Sequence, residues 1–213
     1  RAGMLHHIPD EVNDEEAATV EPCAVSLRAV RRSGIQVGET VVVFGAGPIG
    51  LFVLQHARVA GAKAVYVVEP APGRACAAGA LGADRVFDPV QAKVPKEVTR
   101  LTDVGADLAF VCTAAPPVLQ QAVNSVRKQG RVIVVGGGGP TTVVPETWMW
   151  REVEVRGSFS HLDEFALAIE LFRQRRITVE GMISEIVPLE GLPQALTALA
   201  SPNTEIKVLV QPG

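Results

Sequence analysis

Residues 40–69 read TVVVFGAGPIGLFVLQHARVAGAKAVYVVE: an apolar run, a glycine-rich turn, a helical pattern and a second apolar run that ends in an acid. This is the order of elements in a dinucleotide-binding βαβ unit. A glycine turn alone is weak evidence, but here both strands, the helix and the terminal Glu69 accompany it. The stretch therefore predicts a Rossmann site. The alternative, a turn that only closes a βα unit, leaves Glu69 unexplained.

Each residue of the turn has a chemical reason to be there. Gly45 lets the chain turn sharply, Gly47 lets a pyrophosphate approach the backbone, and Gly50 lets the helix pack close to the sheet. Pro48 and Ile49 fall in the first helical turn, where proline needs no amide hydrogen and the free amides point at the phosphates. These five residues are predicted to contact a cofactor.

Glu69 predicts which dinucleotide is bound. It lies about twenty residues beyond the last glycine, at the position that meets the adenosine ribose. A carboxylate there accepts hydrogen bonds from ribose hydroxyls and repels a 2′-phosphate. We therefore expect NAD to be favoured over NADP.

The composition of the whole chain excludes some classes of partner. The 213 residues are 47% hydrophobic and 20% charged, with a formal charge of −3, so neither nucleic acid nor an anionic membrane is an expected partner. No apolar run approaches a transmembrane length. Cys23, Cys76 and Cys112 are far apart, which is typical of reduced thiols and predicts a cytoplasmic protein.

The elements around this stretch predict an α/β fold with a doubly wound, six-stranded parallel sheet. Strands and helices alternate as far as a short sixth strand at 153–156, and the later helices, at 164–173 and 192–199, do not continue the alternation. Before the first strand, a helix capped by Asn13 is predicted to run to Gly34 and to break or kink at Pro22. Glu21 would then lie at the kink.

Several motifs together resemble one family. They are Val20-Glu21-Pro22, the GAGPIG turn, Val68-Glu69-Pro70, Leu81-Gly82-Ala83-Asp84, Gly130-Arg131-Val132 and Arg156-Gly157-Ser158-Phe159. The chain resembles the C-terminal, cofactor-binding part of zinc-type medium-chain alcohol and polyol dehydrogenases, and among these the sorbitol, butanediol and threonine dehydrogenases. The resemblance covers essentially the whole chain.

The resemblance implies roles for further residues. It implies a ribose contact for Glu69 and Arg74, cofactor-lining loops at Thr113, Ala114, Val135, Gly136 and Gly137, nicotinamide carboxamide contacts for Ser158 and Phe159, a pyrophosphate contact for Lys207, and a place at the catalytic zinc for Glu21. Two alternatives stay open. Lys207 could be a solvated strand lysine, and Glu21 could be an acid bonded to neighbouring helix ends.

The resemblance also implies an activity and a domain division. The parent would be an NAD-dependent dehydrogenase of a small alcohol or polyol, with zinc in the full-length protein, and a homodimer or homotetramer. Residues 1–21 would be a remnant of its catalytic domain, 22–160 the dinucleotide-binding domain, and 161–213 the helices and strand that return to the catalytic domain. The catalytic residues remain unassigned, and this chain alone is expected to be inactive. The alternatives are a stand-alone NAD(H)-binding module and a zinc-free quinone or enoyl reductase relative.

Overall fold

A six-stranded, all-parallel sheet forms the centre of the molecule. The computed structural model describes residues 5–199 and 205–213. The strands follow the spatial order β3-β2-β1-β4-β5-β6, which confirms the predicted doubly wound Rossmann sheet. The strands are β1 (Thr40–Phe44), β2 (Ala64–Val68), β3 (Arg85–Phe87), β4 (Ala106–Val111), β5 (Val126–Val134) and β6 (Glu154–Gly157).

Helices cover both faces of this sheet. The helices of the described residues are α1 (Asp14–Ala18), α2 (Val20–Ser33), α3 (Pro48–Val59), α4 (Pro72–Ala80), α5 (Val94–Thr102), α6 (Val118–Ser125), α7 (Pro145–Arg151), α8 (Phe165–Arg173) and α9 (Leu192–Leu199). Because both faces are covered, alternate residues of β1 serve two cores. Val41 and Val43 pack with α2, α3 and α8, whereas Val42 and Phe44 pack with α5 and α6.

The prediction of a helix break at Pro22 is wrong, because the break lies at Thr19, about one helical turn earlier. The helix that Asn13 caps ends at Ala18, and α2 begins at Val20, so Pro22 lies in the first turn of α2. A proline ring clashes with the carbonyl four residues earlier, and the break at Thr19 removes that clash. The Thr19 hydroxyl and amide both donate to the carbonyl of Glu16, which ends α1. Glu21 is therefore exposed in the first turn of a helix, not at a kink inside one.

The segment after residue 160 packs onto the Rossmann core. Helix α8 buries Ala168 and Phe172 against the same core as α2 and α3. A further strand that the sequence reading did not include, β7 (Ile183–Pro188), pairs in parallel with β8 (Lys207–Gln211). The last strand thus has a partner within the chain. Within residues 5–199 and 205–213, no helix combines the length and the apolar character that crossing a membrane requires.

Candidate cofactor site

The glycine turn between β1 and α3 has the geometry that its sequence predicts. Gly45 adopts φ +97°, a left-handed conformation that favours glycine. Gly50 packs directly on the Gly45 peptide, because a Cβ at Gly50 would lie 2.9 Å from the Gly45 carbonyl carbon and closer still to its oxygen. The two glycines therefore seat the start of α3 against the end of β1, at the point where strand order reverses between β1 and β4.

The amino end of α3 is open to a ligand. Gly47 is the N-cap, Pro48 and Ile49 form the first turn, and within the described part of the chain no side chain caps the helix. A Cβ at Gly47 would meet nothing within 4 Å, so space remains in front of the backbone. The first turn also contains no acidic residue. A helix end whose first turn has free amides and no acidic side chain suits a phosphate group.

Glu69 is held at this helix end by backbone amides. Its side chain follows β2, is buried, and accepts hydrogen bonds from the amides of Ala46 at 2.7 Å and Ala71 at 2.9 Å. One carboxylate oxygen therefore braces the glycine turn, and the other braces the turn into α4. Each oxygen keeps a further lone pair, so the carboxylate can still accept a ribose hydroxyl.

The loops after β4 and β5 pack against each other beside the glycine turn. A Cβ at Gly136 would lie 2.8 Å from the amide nitrogen of Thr113, and one at Gly138 would overlap Ala114. A cleft of about 120 Å³ lies between these loops, and its lining includes Thr113, Ala114, Gly136 and Gly137. The resemblance places all four at the cofactor, and the structure brings them together. Val135 starts the second loop, with its amide bonded to the carbonyl of Val111.

Ser158 and Phe159 follow β6 at the same edge of the sheet. The Ser158 amide donates to the carbonyl of Val134, and its buried hydroxyl has no partner among the described residues. Phe159 is 92% exposed. An unpartnered buried hydroxyl beside a fully exposed aromatic ring is a feature expected where a ligand completes the packing.

Arg74 lies in the first turn of α4, close in sequence to Glu69, but it does not pair with Glu69 in the described structure. Instead, its Nε and Nη2 both donate to the carbonyl of Glu205, at 3.0 and 2.7 Å. Lys207 begins β8, two residues beyond that carbonyl. Within the described ranges, its ammonium group has no acceptor.

One cysteine lies close to the glycine turn. A Cβ at Gly50 would lie 3.5 Å from the Cβ of Cys112. Desolvation raises the pKa of the Cys112 thiol to about 12, so the group is neutral near pH 7. No thiolate charge therefore opposes an anionic ligand at this turn.

Comparison with known proteins identifies the family. A family model described as zinc-binding dehydrogenase matches residues 48–174, which is more than half of the chain. The chain belongs to the zinc-binding dehydrogenase family.

Several family members are similar over nearly the whole chain. The (R,R)-butanediol dehydrogenase of Bacillus subtilis is 33% identical over 98% of this chain and 61% of its own length. Human sorbitol dehydrogenase is 32% identical over 91% of this chain and 56% of its own length. The chain thus spans about 60% of the length of the curated relatives it matches.

Solved structures show the same likeness. The crystal structure of the B. subtilis butanediol dehydrogenase has a TM-score of 0.89 over 97% of this chain and 60% of that one. The structure of a zinc-binding dehydrogenase from Sinorhizobium meliloti 1021 bound to NADP has a TM-score of 0.88 at 29% identity, over 97% of this chain and 62% of that one. This chain therefore shares its fold with both of these dehydrogenases.

The family name raises the question of where zinc would bind. Glu21, the one residue that the resemblance assigns to the metal, is exposed in the first turn of α2. Within residues 5–199 and 205–213, no group of three His, Cys, Asp or Glu side chains could hold a metal ion. A catalytic zinc takes three protein ligands. The described residues therefore do not fit a zinc site.

Three groups of this candidate site could not be found from the sequence because they belong to the backbone. The amides of Ala46 and Ala71 hold Glu69, and the carbonyl of Glu205 holds Arg74. Every non-proline residue carries these groups, so residue type gives no signal for them.

Proposed function

We propose that this chain is the NAD(H)-binding part of a zinc-dependent oxidoreductase that transfers hydride between a secondary alcohol or polyol and NAD. The observation that carries the proposal is the open amino end of α3, beside a carboxylate fixed by Ala46 and Ala71. The similarity to butanediol and sorbitol dehydrogenases supports the substrate class.

The geometry supports one orientation of the dinucleotide. The adenosine ribose would meet Glu69, and the pyrophosphate would lie in the open space at Gly47 and against the amides of α3. The nicotinamide would then extend toward the loops at Thr113 and Gly136 and toward Ser158. Lys207 would supply a cation to the pyrophosphate. In this order, the cofactor crosses the carboxyl ends of β2, β1, β4 and β5.

The residues of this chain would bind, orient and exclude water. When bound, NAD supplies the carbon that accepts the hydride. The chain's own contribution is to fix the two ends of the cofactor, with Glu69 at the ribose and the 158–159 segment at the nicotinamide. Phe159, which is fully exposed here, would cover one side of the ring. Holding the reacting groups in one geometry is a large part of what a protein adds to cofactor chemistry.

The stand-alone NAD(H)-binding module remains the second candidate. It is favoured by one observation, that the described residues include no set of side chains fit for a metal. Under this alternative, the site at α3 still binds NAD(H), but no polypeptide that contains it oxidises an alcohol.

The quaternary structure and location that we propose follow from the sheet edge and the thiols. Strand β6 pairs only with β5 within the described chain, and Met149 and Trp150 of the adjoining α7 are about two-thirds exposed. We propose that this edge joins two copies into a homodimer or homotetramer. The three free cysteines support a cytoplasmic location.

Two measurements test the function. Calorimetric titration of the intact chain with NAD and NADH should show saturable binding, and no binding of either would contradict the proposal. NADH formation from sorbitol, butanediol and threonine is then compared between this chain and a longer polypeptide that matches the full length of its relatives. Turnover by the longer polypeptide alone supports the dehydrogenase, whereas binding without turnover in both supports the binding module.

A further inference from the structure

Arg74 makes a contact that the ribose role does not explain. Arg74 lies in the first turn of α4. Two nitrogens of its guanidinium donate to the carbonyl of Glu205, 131 residues away in sequence. Bidentate donation from a rigid fork fixes the acceptor in direction as well as in distance. The carbonyl of Glu205 is therefore fastened to the end of the site where Glu69 lies.

The residues that follow Glu205 are held by contacts with β7 and the core. The next residue, Ile206, is buried in the core that also contains α3, and its amide donates to Ser184 Oγ on β7 at 2.7 Å. Lys207 follows immediately and opens β8, opposite Ile183. Lys207 thus follows two residues that are held in place, Glu205 by Arg74 and Ile206 by Ser184 and the core.

The anionic part of the ligand needs a cation that the glycine turn does not provide. Residues 45–50 contain no basic side chain, and the first turn of α3 offers only backbone amides. A pyrophosphate carries negative charge that a lysine or arginine ordinarily helps to neutralise. Arg74 commits two of its nitrogens to a carbonyl, whereas the ammonium of Lys207 has no acceptor among the described residues.

We propose that Arg74 is a positioning residue that, by holding the Glu205 carbonyl, brings Lys207 to the pyrophosphate end of the cofactor site. The proposal rests on the proposed NAD binding and deepens it. It assigns the charge contact to Lys207 and the placement of that charge to Arg74. Arg74 then acts on the cofactor through a second residue, and its loss affects the phosphates rather than the ribose.

Binding of cofactor fragments separates this role from a direct ribose contact. We expect Arg74→Gln and Lys207→Gln each to weaken ADP and NAD binding by about tenfold, the size expected for a hydrogen bond to a charged group, with adenosine affinity changed less than about twofold. Because Arg74 and Lys207 act on one contact with the phosphates, the double variant should bind ADP and NAD no more weakly than the weaker of the two single variants. Arg74→Lys, which keeps one charged donor, should restore part of the loss.

Arg58 offers a matched control. Its Nε and Nη2 also converge on one carbonyl, that of Gly82, at 3.1 and 2.7 Å, but this pair lies at the far end of α3 from the glycine turn. Arg58→Gln should therefore leave ADP and NAD affinities unchanged. An equal loss of ADP affinity in Arg58→Gln and Arg74→Gln would overturn the proposal, because the effect would then be one of general stability.

Two further outcomes would overturn it. One is a loss of adenosine affinity in Arg74→Gln as large as the loss of ADP affinity, which would make Arg74 a ribose ligand. The other is additive losses in the double variant.

Hydrogen exchange without cofactor gives an independent reading, because amides 206–211 should exchange faster in Arg74→Gln than in the wild type. If the wild-type chain binds no NAD, the proposed function fails, and the exchange measurement alone then decides whether Arg74 positions β8.

Discussion

The Glu69 carboxylate accepts a hydrogen bond from the Ala46 amide, at 2.7 Å across the glycine turn. The residue that would select the ribose therefore also holds the turn that would receive the pyrophosphate. A substitution that removes both side-chain oxygens at position 69 acts on both parts, because it leaves the buried amide of Ala46 without its acceptor.

We predict that the wild-type chain binds NAD at least about tenfold more tightly than NADP, a difference of about 1.4 kcal/mol. The Glu69 carboxylate repels a 2′-phosphate. The nearby cation, Arg74, already donates to the backbone carbonyl of Glu205. In Glu69→Gln the preference should narrow, because the charge is lost while one amide acceptor is kept. Parallel calorimetric titrations with both cofactors check this, and equal or tighter NADP binding by the wild type would refute it.

Two alanine substitutions in the turn should affect different properties. Gly50→Ala should lower stability, and Gly47→Ala should weaken NAD binding. Gly50→Ala places a methyl group into the Gly45 peptide, so we expect the free energy of unfolding to fall by about 3 kcal/mol. Gly47→Ala meets open space and should change it by less than about 0.5 kcal/mol, yet weaken NAD binding by at least about tenfold because the methyl group stands where the pyrophosphate approaches.

Urea unfolding and NAD titration of both variants measure these effects. Gly79→Ala, on an exposed helix position with nothing within 4 Å of the added Cβ, is the matched control for adding a methyl group. A Gly47→Ala variant that binds NAD normally would show that the pyrophosphate does not approach the backbone there.

Acid should destabilise the protein through His56. This side chain is buried between α2 and α3, with Nε2 against the carbonyl of Cys23, and burial lowers its pKa from 6.5 to about 4. As pH falls below 6.5, the unfolded chain binds a proton that the folded chain does not, so stability present above pH 6.5 is lost down to about pH 4. The loss is on the order of 3 kcal/mol.

Chemical denaturation at several pH values measures the contribution. His56→Gln should show a flatter dependence of unfolding free energy on pH between 6.5 and 4 than the wild type. His7→Gln removes an exposed imidazole and is the matched control. Parallel pH curves for the wild type and His56→Gln would mean that His56 is not the group responsible.

The isolated chain should retain far less than one zinc ion per molecule after dialysis. Glu21 is exposed and belongs to no group of three metal-binding side chains among the described residues, and a single carboxylate does not hold zinc against water. Elemental analysis of the dialysed chain checks the prediction. Stoichiometric zinc, lost again in Glu21→Gln, would show that the chain completes a metal site by itself.

Self-association should be visible in the ultracentrifuge. The edge of β6 that has no partner among the described strands, and the exposed Trp150 in the adjoining α7, favour pairing with a second copy. A concentration series should therefore sediment as a dimer or a larger species. A monomer at every concentration would exclude the proposed edge-to-edge contact.

The sequence predicted the parts of the fold that depend on side-chain pattern. The Rossmann strands and the glycine turn follow from apolar runs and from glycine at fixed spacing, and Gly45 and Gly50 lie as expected. Strand β7 was missed because Glu185 and Ile186 are both exposed, so the strand has no clear alternation. Helix α7 was missed because it is short and buries no residue.

The site was harder to predict where the contact atoms belong to the backbone. The sequence places Arg74 near the ribose by resemblance, yet its partner is a carbonyl 131 residues away. That pairing depends on where the segment at Glu205 runs in three dimensions. No local pattern of residues encodes it, because every residue has a carbonyl.

The parallel pairing of β7 with β8 has a consequence for the order of folding. A two-stranded sheet has little stability of its own, and its strands are joined by a long crossover, so it is a poor nucleus. The six-stranded sheet must be in place first to supply the Ile206 packing site. We therefore expect the glycine turn and Glu69 to assemble early, and Lys207, at the start of β8, to take its place only after that core has folded.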